Sequence, residues 1–208
     1  EDYNSGICDA KNLANKQKAI FLDRDGTINE YVGFLRKEED FRLIPGVSEA
    51  IKKINNSGYL AIVVTNQPVI ARGEVTEEKL EEIHKKMETL LGLAGAYIDD
   101  IYYCPHHPDK GFEGEIPELK IECDCRKPKT GMLEKAAREH NIDLSSSIMI
   151  GDSTLDIKMA ENAGMQSILL KTGQKGEDGK YDVSPTLIAE DLNDAINKII
   201  CKKVSKKL

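Results

Sequence analysis

Residues 18–27 read Lys18-Ala19-Ile20-Phe21-Leu22-Asp23-Arg24-Asp25-Gly26-Thr27. The first half is an apolar run, as expected of a buried parallel strand that helices cover on both faces. The run stops on an aspartate. Asp23 and Asp25, two residues apart at a strand end, face the same side, and Gly26 lets the backbone turn sharply after them. By the same alternation Arg24 is expected to point away from both. Two carboxylates so close repel unless a cation lies between them or one of them carries a proton. Either outcome is useful. A hard ion such as Mg²⁺ is commonly held by one or two carboxylates together with substrate phosphate oxygens, and the other carboxyl can work as a general acid and base.

Working outward, two more apolar runs stop on polar residues. Tyr59 to Val64 leads into Thr65, and Ser147 to Gly151 leads into Asp152. Asp100 to Tyr103 and Gln166 to Leu170 complete the expected strands. Between them lie helical patterns at 46–57, 76–93, 131–140, 154–163 and 191–200, the first with Val47, Ala50, Ile51 and Ile54 on one apolar face. Strands alternating with helices predict an α/β fold around a mainly parallel sheet. Such sheets bind ligands beyond the carboxyl ends of their strands. Core strands have no packing reason to end repeatedly on reactive residues, so Asp23, Thr65 and Asp152 are expected to meet at one edge. His84 and His140 fall in helices and read as ordinary helical residues.

Residues 104–130 carry Pro, Gly, His and Cys with little periodicity, too long a stretch to be an idle loop. Cys104-Pro105-His106-His107-Pro108 and Cys123-Asp124-Cys125 offer three thiols and an imidazole, a Cys₃His set of the kind that binds structural zinc. Spacing leaves His106 and His107 as alternatives for the fourth ligand. Four protein ligands leave no open position, so the zinc is read as structural. The cysteine count is odd, at five, and clustered thiols in a cytosolic chain favour metal over disulfides. Cys8 and Cys201 have no assigned role.

The chain has 208 residues and a formal net charge of -7. Length suits one catalytic domain, expected at 18–200 with its zinc loop at 104–125, a polar arm or linker at 1–17 and a basic tail at 201–208. The acidic balance argues against nucleic acid as a partner. No apolar run approaches the ~20 residues of a membrane helix, and the polar start is no signal peptide, so the expected location is the cytoplasm. The first residue is Glu, not Met, which suggests a piece of a longer polypeptide.

Four short motifs now stand in order: Asp23-Arg24-Asp25-Gly26-Thr27, the Thr of Val63-Val64-Thr65-Asn66-Gln67, the Lys of Cys125-Arg126-Lys127-Pro128, and Gly151-Asp152-Ser153-Thr154-Leu155-Asp156. Together they resemble the haloacid dehalogenase superfamily of phosphohydrolases over residues 18–172. The resemblance implies a Rossmann-like three-layer sandwich with no large cap domain, and an open site partly roofed by the zinc loop. It implies that Asp23 attacks phosphorus and that Asp25 serves as acid and base. Mg²⁺ would sit on the Asp23 side chain, the Asp25 carbonyl and Asp152, with Thr65 and Lys127 on phosphate oxygens. Asp156 would orient Lys127 or the metal, or cap the following helix.

The Cys-Pro-His-His-Pro and Cys-x-Cys-Arg-Lys-Pro pair, with Ile70-Ala71-Arg72-Gly73, narrows the resemblance to the D,D-heptose 1,7-bisphosphate phosphatases. It implies His106 as the zinc ligand and a phosphorylated sugar as substrate. Arg126 and Arg72 become candidates for the far phosphate, and Gly26, Thr27 and Asn66 for further substrate contacts. Related histidinol-phosphate phosphatases and other small sugar-phosphate phosphatases are the alternative. The chain departs from the common heptose pattern at Pro68-Val69, where Ser-Gly is usual, and at Ser153, where Lys is often found. The enzyme is expected to act as a monomer, fused to or working beside a sugar-phosphate nucleotidyltransferase.

Overall fold

The computed structural model of the protein describes residues 16–205. Its strands are β1 (Lys18–Leu22), β2 (Tyr59–Asn66), β3 (Asp100–Cys104), β4 (Ile148–Gly151), β5 (Gln166–Leu170) and β6 (Leu187–Ala189). Its helices are α1 (Val47–Asn55), α2 (Pro68–Ala71), α3 (Glu77–Leu93), α4 (Gly131–Glu139), α5 (Thr154–Asn162) and α6 (Leu192–Ser205). The strands form one six-stranded sheet in the order β3-β2-β1-β4-β5-β6. Every neighbouring pair is parallel.

Alternation along each strand builds two cores. Ile20 and Leu22 of β1 face one side, with Ala61, Val63, Ile150 and Leu170, where α1, α3 and α6 pack. Ala19 and Phe21 face the other side, with Ile62, Val64 and Met149, where α4 and α5 pack. These β1 side chains are 0–1% exposed. The apolar run at 18–22 thus supplies both layers at once, and the result is the expected three-layer sandwich. Ile20, Phe21 and Leu22 each contribute ~1.5–3 kcal/mol by leaving water. Phe21→Ala would cost ~3–5 kcal/mol, because the side chains packed on its face of the sheet close only partly on the gap. Helix α3 begins where Thr76 accepts a hydrogen bond from the Lys79 N–H at 3.2 Å.

The strand order reverses between β1 and β4, and such a reversal opens a crevice at the carboxyl edge. Leu22 pairs with Val63 on one side and Ile150 on the other. The residues that follow therefore emerge side by side.

Several features differ from expectation. β2 runs on to Asn66, so Thr65 lies within the strand. The short α2 and the three-residue β6 carry too few residues to show a period. The closing helix runs past Ile200 to Ser205, taking in Lys202 and Lys203 of the expected tail. Gln17, expected in the arm, is bound to the domain: its N–H reaches the Asn141 carbonyl at 2.9 Å and its carbonyl receives the Asp143 N–H at 2.9 Å. The rest of the arm up to residue 15, and residues 206–208, lie outside the described residues, as does Cys8. Among the described residues no helix is long and apolar enough to cross a membrane.

Candidate active site

The loop ends at the β1–β4 reversal bring Asp23, Asp152 and Asp156 together, with a carboxylate oxygen of each within 4.8 Å of the others. Lys127 joins them from the segment after the cysteine pair. Its buried Nζ donates to Asp23 Oδ1 at 2.8 Å, to Asp156 Oδ1 at 2.6 Å and to the Val64 carbonyl at 3.2 Å. Burial opposes its charge, but Asp156 and Asp23 outweigh burial and hold the ammonium charged. Asn66 fixes the Lys127 peptide from both sides, accepting from its N–H at 3.0 Å and donating to its carbonyl at 3.3 Å.

Asp152 is fully buried. Its Oδ2 accepts from the Gln174 N–H at 2.6 Å, whereas Oδ1 has no hydrogen-bond partner. Burial, then repulsion from Asp23 and Asp156, pushes its carboxyl up to about 8. Asp23 is pushed up to about 7, chiefly by burial, with Lys127 pulling it back. A buried carboxylate oxygen without a donor, beside a second carboxylate, fits a hard divalent cation. Two loops press on that oxygen pair. A Cβ at Gly26 would fall 2.1 Å from Asp152 Oδ2, and one at Gly173 would fall 2.0 Å from it. Both glycines have positive φ, +84° and +53°, so no other residue fits either turn without strain.

Asp25 is held differently. Arg24 Nη2 donates to its two oxygens at 3.0 and 2.9 Å, Asn29 Nδ2 to Oδ1 at 2.9 Å, and Gln67 Nε2 to Oδ2 at 3.1 Å. Burial raises its pKa, but Arg24 and these hydrogen bonds outweigh burial and hold it below the ordinary value. Arg24 thus does not point away from the aspartates. It is fully buried and paired with Asp25, because the chain leaves extended geometry at once after β1: the Thr27 and Ile28 N–H groups turn back to the Arg24 carbonyl. His84, read from sequence as an ordinary helical residue, is buried against the site. Its Nε2 lies 3.3 Å from Arg24 Nη1. Burial, then the Arg24 charge, drives it down to about 3, so it is neutral and accepts. His140 closes α4 and bonds Asp100 at 2.7 Å, away from the site. Gln67 also donates to Thr65 Oγ1 at 2.8 Å, tying the threonine to Asp25. The sequence signal for Gln67 is its place two residues beyond Thr65, just past the end of β2.

Asp156 has two of its three expected roles. One oxygen holds Lys127, and the other accepts from the Ser153 hydroxyl at 2.6 Å and N–H at 3.2 Å, closing a capping box on α5. Around this centre lies an open cleft lined by Asp23, Asp25, Thr65, Asn66 and Lys127, with Arg72 and Arg126 at its rim. Ser153 and Lys180 also line it. Gly26 and Thr27 stand behind the lining and shape the turn.

The cysteine-bearing loop expected to hold zinc supplies His107 and Arg126 to the cleft lining. Cys104, His106, Cys123 and Cys125 bring one ligand atom each within 4.8 Å of the others. The sulfur pairs are 3.1–3.5 Å apart, and His106 Nδ1 is 3.3 Å from the Cys125 sulfur. A tetrahedral ion with ~2.3 Å bonds to sulfur needs edges of ~3.8 Å, so a small outward step would seat it. His106, not His107, completes the set. His107 turns its Nδ1 to the Asp109 N–H at 3.2 Å and lines the cleft instead. Cys125 is drawn down to about 5, first by its sulfur–sulfur hydrogen bond with Cys104. Its thiolate stands ready for a cation. Arg126 and Lys127 follow it directly, and Arg126 donates to the His106 carbonyl at 3.1 Å.

A family model described as HAD-hydrolase-like matches residues 124–195. A D-glycero-beta-D-manno-heptose-1,7-bisphosphate 7-phosphatase of Haemophilus ducreyi is 43% identical over 160 residues, covering 76% of this chain and 85% of its own. A D-glycero-alpha-D-manno-heptose-1,7-bisphosphate 7-phosphatase of Photorhabdus laumondii is 44% identical over 160 residues, covering 76% and 85%. The crystal structure of D,D-heptose 1,7-bisphosphate phosphatase from B. bronchiseptica, complexed with magnesium and phosphate, superposes with a TM-score of 0.79 at 31% identity, covering 89% of this chain and 99% of that one. Sequence, sheet order and site geometry agree: the chain belongs to the heptose-1,7-bisphosphate 7-phosphatase family of HAD-like hydrolases.

Proposed function

We propose that the chain hydrolyses the 7-phosphate of D-glycero-D-manno-heptose 1,7-bisphosphate through an aspartyl-phosphate on Asp23. The meeting of Asp23, Lys127 and the orphaned Asp152 oxygen at the strand-order reversal carries this reading, together with relatives at 43–44% identity named for that reaction. A carboxylate from Asp23 attacks phosphorus as the bond to the sugar C7 oxygen breaks. Asp25 gives the leaving oxygen its proton. Arg24 keeps Asp25 ionised in the empty site, and the negative charge of an arriving phosphoryl group favours the protonated form. Asp25 then takes a proton from the water that attacks the acyl phosphate, which frees Asp23 and inorganic phosphate. Thr65 and Lys127 hold the phosphoryl oxygens.

The Asp23 side chain, the Asp25 carbonyl and Asp152 would hold Mg²⁺, which supplies positive charge against the phosphoryl oxygens when bound. Arg126 and Arg72 take the 1-phosphate, which Arg can grip bidentately. Gly26 and Thr27 shape the turn that carries Asp25. Cys104, His106, Cys123 and Cys125 hold a structural Zn²⁺ that orders the loop. We place the reaction in the cytoplasm, catalysed by a monomer. Its product keeps an anomeric phosphate, the group that a sugar-phosphate nucleotidyltransferase consumes.

The test is phosphate release from both anomers of the heptose bisphosphate, beside histidinol phosphate. The heptose bisphosphates are expected to win by kcat/KM. Asp23→Asn is expected to lower kcat ~10⁴-fold or more with the melting curve retained. Preference for histidinol phosphate would overturn the substrate, and an active Asp23→Asn would overturn the covalent route.

A further inference from the structure

Lys120 is a buried lysine that the chemistry above does not use. Its residue is 3% exposed, and its Nζ has no hydrogen-bond partner. The nearest carboxylate oxygen, Glu115 Oε2, lies 3.7 Å away. That oxygen already accepts the Gly111 and Phe112 N–H groups at 2.9 Å each. A buried ammonium without an acceptor is costly, so such a group marks a place where another acceptor belongs.

What covers Lys120 is the ring of Phe112, whose centroid is 4.6 Å from Nζ. The guanidinium of Arg72 lies 4.6 Å from the same centroid, and 4.5 Å from the ring of Phe34 on the loop after β1. Arg72 Nε is also buried without a partner. Two cations with idle donors therefore share one ring, and Arg72 lines the cleft. They can be no further apart than twice their distance to that ring. One phosphate, accepting hydrogen bonds of ~2.8 Å on two sides, spans such a gap. The Phe112 ring stands at the surface of its turn. Phe112 is 38% exposed, and Gly111 and Gly114 flank it with open space where a Cβ would stand.

We propose that Lys120 is a specificity-determining residue: with Arg72 it receives the non-reacting phosphate of a bisphosphate, and the Phe112 ring covers the pair until that phosphate arrives. The ring attracts both cations weakly and gives way to an anion that satisfies their donors. This rests on the bisphosphatase reading above and adds a residue and a moving cover to it. A sugar monophosphate leaves the pair under its ring, so discrimination between the two substrates resides here.

The experiment compares the heptose 1,7-bisphosphate with heptose 7-phosphate on the wild type, Lys120→Met, Lys120→Gln and Lys120→Arg. The wild type is expected to prefer the bisphosphate. Both neutral variants are expected to lower the bisphosphate-to-monophosphate ratio of kcat/KM by ~10- to 100-fold, through KM rather than kcat. Lys120→Arg is expected to recover most of the ratio. A neutral variant that folds and keeps the wild-type ratio overturns the proposal and leaves the bisphosphatase reading standing. Failure of Lys120→Arg to recover anything also overturns it, because a purely structural lysine would behave so. A wild type without bisphosphate preference overturns both.

Discussion

At the scale of single residues, the site is a set of charges that cannot all be satisfied by protein. Asp23 and Asp152 are pushed up to about 7 and about 8, far above the ~3.9 of an unfolded aspartate. A folded pKa raised above its unfolded value adds stability that is complete below the unfolded value. That stability drains as pH rises through the folded one. Magnesium-free protein is therefore expected to lose melting temperature between pH 5 and about pH 8 from these two groups, and Mg²⁺ is expected to restore it at the alkaline end. Magnesium affinity should tighten by roughly tenfold per pH unit for each proton displaced over this window, read by calorimetry at several pH values. An affinity independent of pH would contradict the assignment. The acceptors here were legible in sequence because they sit next to the strand ends. Arg24, His84 and Gln67 were not: their contacts join residues 43 and 60 positions apart, and strict alternation at Arg24 fails where the chain turns.

At the scale of elements, β1, β2 and β4 were legible because buried parallel strands must be apolar throughout and still end in polar groups. β6 and α2 escaped because three or four residues cannot display a period. The segment after β3 announced itself by its cysteines, but the position of Lys120 and Phe112 within it depends on chain folding that spacing does not encode. In the proposed reading that segment ties a metal to catalysis. Cys125 is two residues from Lys127, and Gly131 is pressed against the Asp124 carbonyl, where a Cβ would fall 2.5 Å away. Metal analysis is expected to find one zinc per chain. Its removal by a strong chelator, followed by Mg²⁺ in excess, should lower both the melting temperature and kcat, with partial recovery on adding zinc back. Protein that is stable and active without zinc would refute the role given to the four ligands.

At the scale of the whole molecule, a chain of net charge -7 binds a polyanion because its cations are gathered at one place. Arg72, Arg126 and Lys127 line one cleft, with Lys120 against the same ring as Arg72. Remote acidic charge opposes approach of the substrate, and local cations favour it. Added salt screens both, but acts more on the partly exposed rim than on the buried centre. KM for the bisphosphate is expected to rise several-fold, roughly 3- to 10-fold, between 0.02 and 0.2 M ionic strength, with kcat nearly flat. Equal salt slopes for bisphosphate and monophosphate would contradict a cationic rim. The sheet also fixes what the centre can hold. Gly26 and Gly173 grip the Asp152 carboxylate so closely that it has no room to retreat. The two glycines thus work as a clamp that pins the Oδ2 side of the carboxylate and leaves the unpartnered Oδ1 as the oxygen free to meet a cation.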